Sequence, residues 1–236
     1  MIRGSICQRF YLGYLHNMPD PIICQSHLAR LLSPVAENLG LDIEISKTVS
    51  RPLGINYVSI SAAISPHKQI VTYRAADHSP YRERLMSRPS TLPSSIQGDL
   101  QSSVNSKLSE LPFGQTYTFR FTPEGGLIDI EKGITEESLW TLDVAKIGIF
   151  ENAIRASHDL PLGESLSLIE DWRTLTFEAN QALDMKRPYL HLFAHNPRYR
   201  IHKFSSHSGF MSVSGDGDLT ESICHAIDYL EGIVNE

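Results

Sequence analysis

Helix-like and strand-like periodicities come in runs along this chain and do not alternate, and that order limits the folds open to it. Residues 26–39 carry Leu28, Leu31, Leu32, Val35 and Leu39 at helical spacing, and Gly40 stands where a C-terminal cap belongs. Three strand-like segments follow at residues 41–46, 55–64 and 69–73. A helix through Leu100, Val104, Leu108 and Leu111 is next, ended by Pro112. TYTFRF and LIDIE flank the turn-forming TPEGG and predict a hairpin. Helical spacing then covers residues 135–154 and 168–183, and the chain ends in a hairpin at 189–204 and a helix over 219–234. Without repeated β/α units, this order predicts an α+β fold with a mainly antiparallel sheet and about five helices.

The sequence has 236 residues, 41% of them hydrophobic, which is enough for a sizeable core. We read residues 1–236 as a single domain interrupted by a basic, Ser/Pro-rich excursion at 75–98. No segment approaches the ~18 consecutive apolar residues of a spanning helix, and the N-terminus lacks a secretory pattern. The expected setting is soluble and cytoplasmic, without a membrane partner. Cys7, Cys24 and Cys224 form no CxxC pair, so reduced thiols are expected. Cys24 and His27 would suit a nucleophile at a helix start, although a cysteine among Ile22, Ile23 and Leu28 more often packs as a small apolar residue.

The net charge of −6 is unevenly spread. Residues 47–98 hold seven basic side chains against Asp77 and Glu83, residues 124–184 hold thirteen acids against four bases, and residues 185–215 hold five bases and no acid. Two basic segments around an acidic one suggest a joint patch for an anionic partner. Its members would be Arg51, Arg74, Arg82, Arg84 and Arg88 with Lys186, Arg187, Arg198, Arg200 and Lys203.

The segment YLHLFAHNPRYRIHKF at 189–204 concentrates aromatic, basic and histidine side chains. As a hairpin turning at Asn196 and Pro197, it would place Tyr189, Phe193 and Phe204 beside Arg198 and Arg200 on one face, a surface on which bases stack while arginines hold phosphates. His191 and His195 have HxxxH spacing, which brings two rings together only on a helix. In the hairpin, His191 would instead oppose His202, and His207 or Asp216 could complete a metal site.

No P-loop, GxGxxG, GxSxG or HExxH sequence occurs, so neither a Rossmann nor a common hydrolase signature supports catalysis. The expected function is therefore a non-catalytic binding protein or assembly subunit, free of cofactors, that engages nucleic acid or an acidic protein surface. The alternative is a metal-dependent hydrolase using the hairpin histidines with a divalent transition metal such as zinc.

Overall fold

The structure, a computed structural model, describes residues 20–46, 54–179 and 186–232. Its centre is a nine-stranded antiparallel sheet. The strands are β3 (Tyr57–Ile64), β4 (Ile70–Thr72), β5 (Ala76–Tyr81), β6 (Arg84–Pro89), β7 (Gln115–Phe121), β8 (Leu127–Lys132), β9 (Trp172–Glu178), β10 (Arg200–Lys203) and β11 (Ser208–Ser214). Across the sheet they run β10, β11, β9, β6, β5, β3, β7, β8, with β4 also paired to β3. A parallel pair, β1 (Ile22–Cys24) with β2 (Ile43–Ile45), stands apart.

Six helices are present among the described residues: α1 (Ala29–Leu39), α2 (Ser94–Leu108), α3 (Thr141–Val144), α4 (Ile149–Ser157), α5 (Lys186–His195) and α6 (Leu219–Leu230). The α+β composition and mostly antiparallel sheet agree with the sequence pattern, with one helix more than expected. Gly40 closes α1 in the left-handed conformation, and the Asp218 carboxylate accepts the Glu221 N–H at the start of α6.

Both faces of the sheet are covered. On one, α2 packs on Val58, Ile60, Tyr117, Phe119 and Phe121, and α6 packs on Leu175, Phe177, Met211 and Val213. On the other, α1, α4 and residues 134–144 close over Ala63, Ala76, Trp172 and Phe210. Trp140 from this cover lies flat on Trp172 of the sheet, their ring centroids 4.7 Å apart.

Four local assignments differ from the sequence reading. Residues 76–89 are a tight hairpin and not an irregular excursion; Arg82 and Glu83 turn it with positive φ in place of the usual glycine or asparagine. Residues 172–178 form β9 and not a helix, because Thr174 and Thr176 alternate with Leu175 and Phe177 between two covered faces. The helix expected over 135–154 divides into the 3-10 turn Glu136–Ser138, α3 and α4, with Gly148 N-capping the last. Residues 186–195 form α5, with Pro188 in its first turn, where a missing N–H costs little. In addition, β2 joins β1 in parallel and not the antiparallel strands.

Gly133 links the sheet to its cover. Its N–H donates to Thr116 O, the next residue bridges to Cys24, and its φ is +103°. A Cβ there would lie 2.6 Å from the Ile23 carbonyl oxygen. Gly133→Ala is therefore expected to destabilise the fold by about 1–3 kcal/mol, read as a lower urea midpoint.

Candidate functional site

The covered face carrying residues 134–144 is polar along a continuous cross-strand row. Directly opposite residues share a face, and the register aligns Asp129, Arg120 and Ser59 in one line and Glu131, Thr118 and Ser61 in the next. Farther along, Tyr57, His78, Ser87, Thr174 and Ser212 continue the series. On β7 this is the alternate set to Tyr117, Phe119 and Phe121, so one strand supplies an apolar core and a polar network.

Arg120 is the hub, with 1% of its side chain exposed. Its Nε donates to Glu137 Oε1 at 2.7 Å, its Nη2 to Glu131 Oε2 at 2.5 Å, and its Nη1 to Asp129 at 3.2 Å. The Tyr57 hydroxyl donates to Glu137 Oε1 at 3.0 Å, and the Gln25 amide reaches Glu131 at 3.5 Å. Gln25 also accepts the Glu136 N–H, so the network fixes the 3-10 turn that carries Glu137. Burial pushes Glu137 up, but the charge and hydrogen bond of Arg120 outweigh it and hold the carboxyl at about 2. Glu131 goes the other way: burial raises it, and Arg120, shared among three carboxylates, offsets only part.

Beside this hub, His78 Nε2 lies 2.7 Å from Ser59 Oγ and Nδ1 lies 2.9 Å from Ser87 Oγ. Its ring stacks on Tyr57, and burial lowers its pKa to about 4. At the β10 edge, Asp143 of α3 takes His202 Nε2 at 3.0 Å and a hydrogen bond from the Ser212 hydroxyl. A cleft of about 60 Å³ opens here, lined by Asp143, Arg198, Arg200, Ser212 and Ser214. Among the described residues, the guanidinium groups of Arg198 and Arg200 bond backbone carbonyls and the Asn196 side chain, and neither pairs with a carboxylate. The buried Ser61 and Thr174 hydroxyls and Trp172 Nε1 have no hydrogen-bond partner among the described residues.

Four of the arginines expected in a joint basic patch are instead paired with carboxylates. Arg74 pairs with Glu170, Arg82 with Asp228, Arg84 with Glu231 and Arg88 with Asp77. Asp228 of α6 and Glu231 just after it thus neutralise the tip of the β5–β6 hairpin. Arg51 and the side chains of Lys186 and Arg187 lie outside the described residues. The aromatic platform does not form either: Tyr189 and Phe193 meet each other on α5, Phe204 is buried against Phe210, and Lys203 points outward from β10.

The proposed metal ligands also fall apart. His191 lies on α5 and stacks on Tyr229, while His202 pairs with Asp143. His207 bonds Ser206, and Asp216 accepts Arg198 through its backbone. Because the segment is a helix, the HxxxH pair does come together, with His191 and His195 ring centroids 4.4 Å apart. Among the described residues, no group of three His, Cys, Asp or Glu side chains could hold a metal ion. Cys24 is fully buried, its pKa pushed up to about 11, and His27 pairs with Glu136, which removes the nucleophile reading.

Sequence reasoning missed Arg120, Glu131, Glu137, His78 and Asp143. One signal was available: an arginine in the apolar strand TYTFRF faces the D-x-E of LIDIE across a readable turn.

No protein-family model and no curated protein matches this sequence. Solved structures do. Carboxyaminoimidazole ribonucleotide synthase from Aspergillus clavatus, complexed with ATP, superposes with a TM-score of 0.62 at 14% identity, covering 78% of this chain and 52% of that one. The Aspergillus clavatus synthase complexed with ADP and 5-aminoimidazole ribonucleotide gives 0.63 at 13% identity, covering 95% and 72%. Glycinamide-RNase-transformylase T from Mycobacterium tuberculosis gives 0.61 at 13% identity, covering 80% and 58%. The chain therefore shares its α+β fold with these enzymes. The chain spans about half the length of the ATP-complexed synthase.

This likeness overturns the expected non-catalytic binder of nucleic acid or acidic protein, and with it the assembly-subunit role and the metal-dependent hydrolase, because the matching folds are those of enzymes with nucleotide and small-molecule ligands. No helix among the described residues is long and apolar enough to cross a membrane.

Two outcomes follow from the buried network. Glu137→Gln leaves Arg120 undercompensated in a dry site and is expected to lower stability by about 3–5 kcal/mol in urea unfolding. His78 has a folded pKa near 4 against an ordinary 6.5, so between these values the unfolded chain binds the extra proton. Stability should therefore fall by about 2 kcal/mol between pH 7 and pH 5 from this residue alone. His78→Gln should flatten that part of the pH dependence, measured by urea unfolding at both values.

Proposed function

We propose that the chain binds an adenine nucleotide and acts as a synthetase-type enzyme on a small substrate carrying a phosphate. The observation that carries this reading is the shared fold, seen in enzymes complexed with ATP or with ADP and a ribonucleotide. A synthetase couples ATP cleavage to bond formation, and the protein contributes mainly positioning and preorganised charge.

The cleft at the β10 edge supplies a place for the substrate's phosphate. Arg198 and Arg200 have donors suited to a phosphate, and no carboxylate among the described residues pairs with either. Ser212 and Ser214 line the same cleft with hydroxyl groups. Asp143 turns its carboxylate to His202 and Ser212, which lessens its repulsion of an anion.

Calorimetric titration with ADP and, separately, with 5-aminoimidazole ribonucleotide tests the reading. Both are expected to bind. Each charge-assisted arginine–phosphate bond contributes about 1.5–3 kcal/mol, so Arg198→Ala and Arg200→Ala should each weaken the ribonucleotide roughly ten- to hundredfold and leave ADP little changed. A wild-type chain that binds neither ligand would overturn the reading.

A further inference from the structure

Phosphoryl transfer from ATP ordinarily uses Mg²⁺, held by one or two protein carboxylates together with the nucleotide's phosphates. The fold therefore raises the question of which carboxylates here could take such an ion. Asp129, Glu131 and Glu137 converge on one point of the covered sheet face, from adjacent positions of β8 and from the 3-10 turn. At that point stands the Arg120 guanidinium, bonded to all three at 2.5–3.2 Å.

These residues do not fit a divalent cation. An ion coordinated by the same oxygens would lie within a few ångströms of a guanidinium that is buried together with Glu131 and Glu137, only Asp129 being partly exposed, and like-charge repulsion there is strong. Arginine cannot relieve the conflict by losing its proton: burial works against the charged form, but Glu137 and Glu131 outweigh it. Nor can the side chain swing out without opening the fold: its residue is 1% exposed, and Tyr57 and Gln25 bond the same carboxylates from two other elements.

We infer that Arg120 is a built-in counter-ion that takes the place of a divalent cation among Asp129, Glu131 and Glu137, so that this carboxylate centre is metal-free by construction. A metal ion entering with a nucleotide would then be held by the phosphates and not by this trio. The inference uses the functional reading only for the expectation of a cation, and its test involves no nucleotide.

Mn²⁺ binding, followed by the loss of the free-ion signal in electron paramagnetic resonance, separates the possibilities. Wild type and Glu131→Gln should give the same Mn²⁺ titration, with no site attributable to the trio. Arg120→Ala should gain one stoichiometric Mn²⁺ site, and the Arg120→Ala/Glu131→Gln double variant should lose it. If Arg120→Ala is unfolded in metal-free buffer, millimolar Mn²⁺ should restore its circular dichroism. A stoichiometric site in wild type that Glu131→Gln removes overturns the inference, as does an Arg120→Ala chain that neither binds Mn²⁺ nor refolds with it. Failure of ADP to bind would count against the functional reading and leave these results intact.

Discussion

One fully buried guanidinium joins the two halves of this molecule. Arg120 belongs to the sheet, Glu137 belongs to the segment that covers it, and the 2.7 Å bond between them ties the sheet to its cover. A buried charge pair repays its desolvation better the more of its remaining donors and acceptors are matched. Here Glu131 and Asp129 take the other guanidinium nitrogens and Tyr57 adds a second donor to Glu137 Oε1, while Glu137 Oε2 has no hydrogen-bond partner among the described residues. The position of the cover follows from this arrangement, and so does the stacking of Trp140 on Trp172.

The remainder of that face obeys the same constraint. Once the cover is in place, every side chain of the polar row must find a partner inside the protein or stay unpaired. His78 meets this demand by bridging Ser59 and Ser87 as a neutral ring. Thr118 meets it by bonding Thr135 of the cover. Ser61, Thr174 and Trp172 do not meet it, and of these Thr174 and Trp172 lie on β9, in the half of the row that leads toward Asp143 and the arginine-lined cleft. The filled centre and the open edge are therefore parts of one face, and they differ in whether the protein supplies its own counter-charge.

This division bears on how the fold is used. The sheet and its helices match those of enzymes complexed with adenine nucleotides, while the centre of the covered face is closed by the chain's own arginine. Arg198 and Arg200, by contrast, keep their donors on backbone carbonyls and one amide, an arrangement an incoming phosphate can compete with.

Local sequence determined the elements whose signals are local. The periodicity before Gly40 specifies α1, TPEGG specifies the β7–β8 hairpin, and Asp218 caps α6, because capping and turn chemistry act within a few residues. The antiparallel, α+β character followed from the order of such elements. Tertiary structure decided the rest. Residues 172–178 show leucine and tryptophan at spacings a helix also permits, and only pairing with β6 and β11 makes them a strand. Residues 186–195 alternate like a strand, yet Leu192 finds its apolar partners by packing a helix against α6. The site itself was hidden for a related reason. Polar residues alternating along a strand ordinarily mark a solvated face, but here a second layer covers that face, so Arg120, His78 and Glu131 form a buried network. Glu137 lies seventeen residues from Arg120 and His78 nineteen from Ser59, separations at which only the folded register brings the charges together.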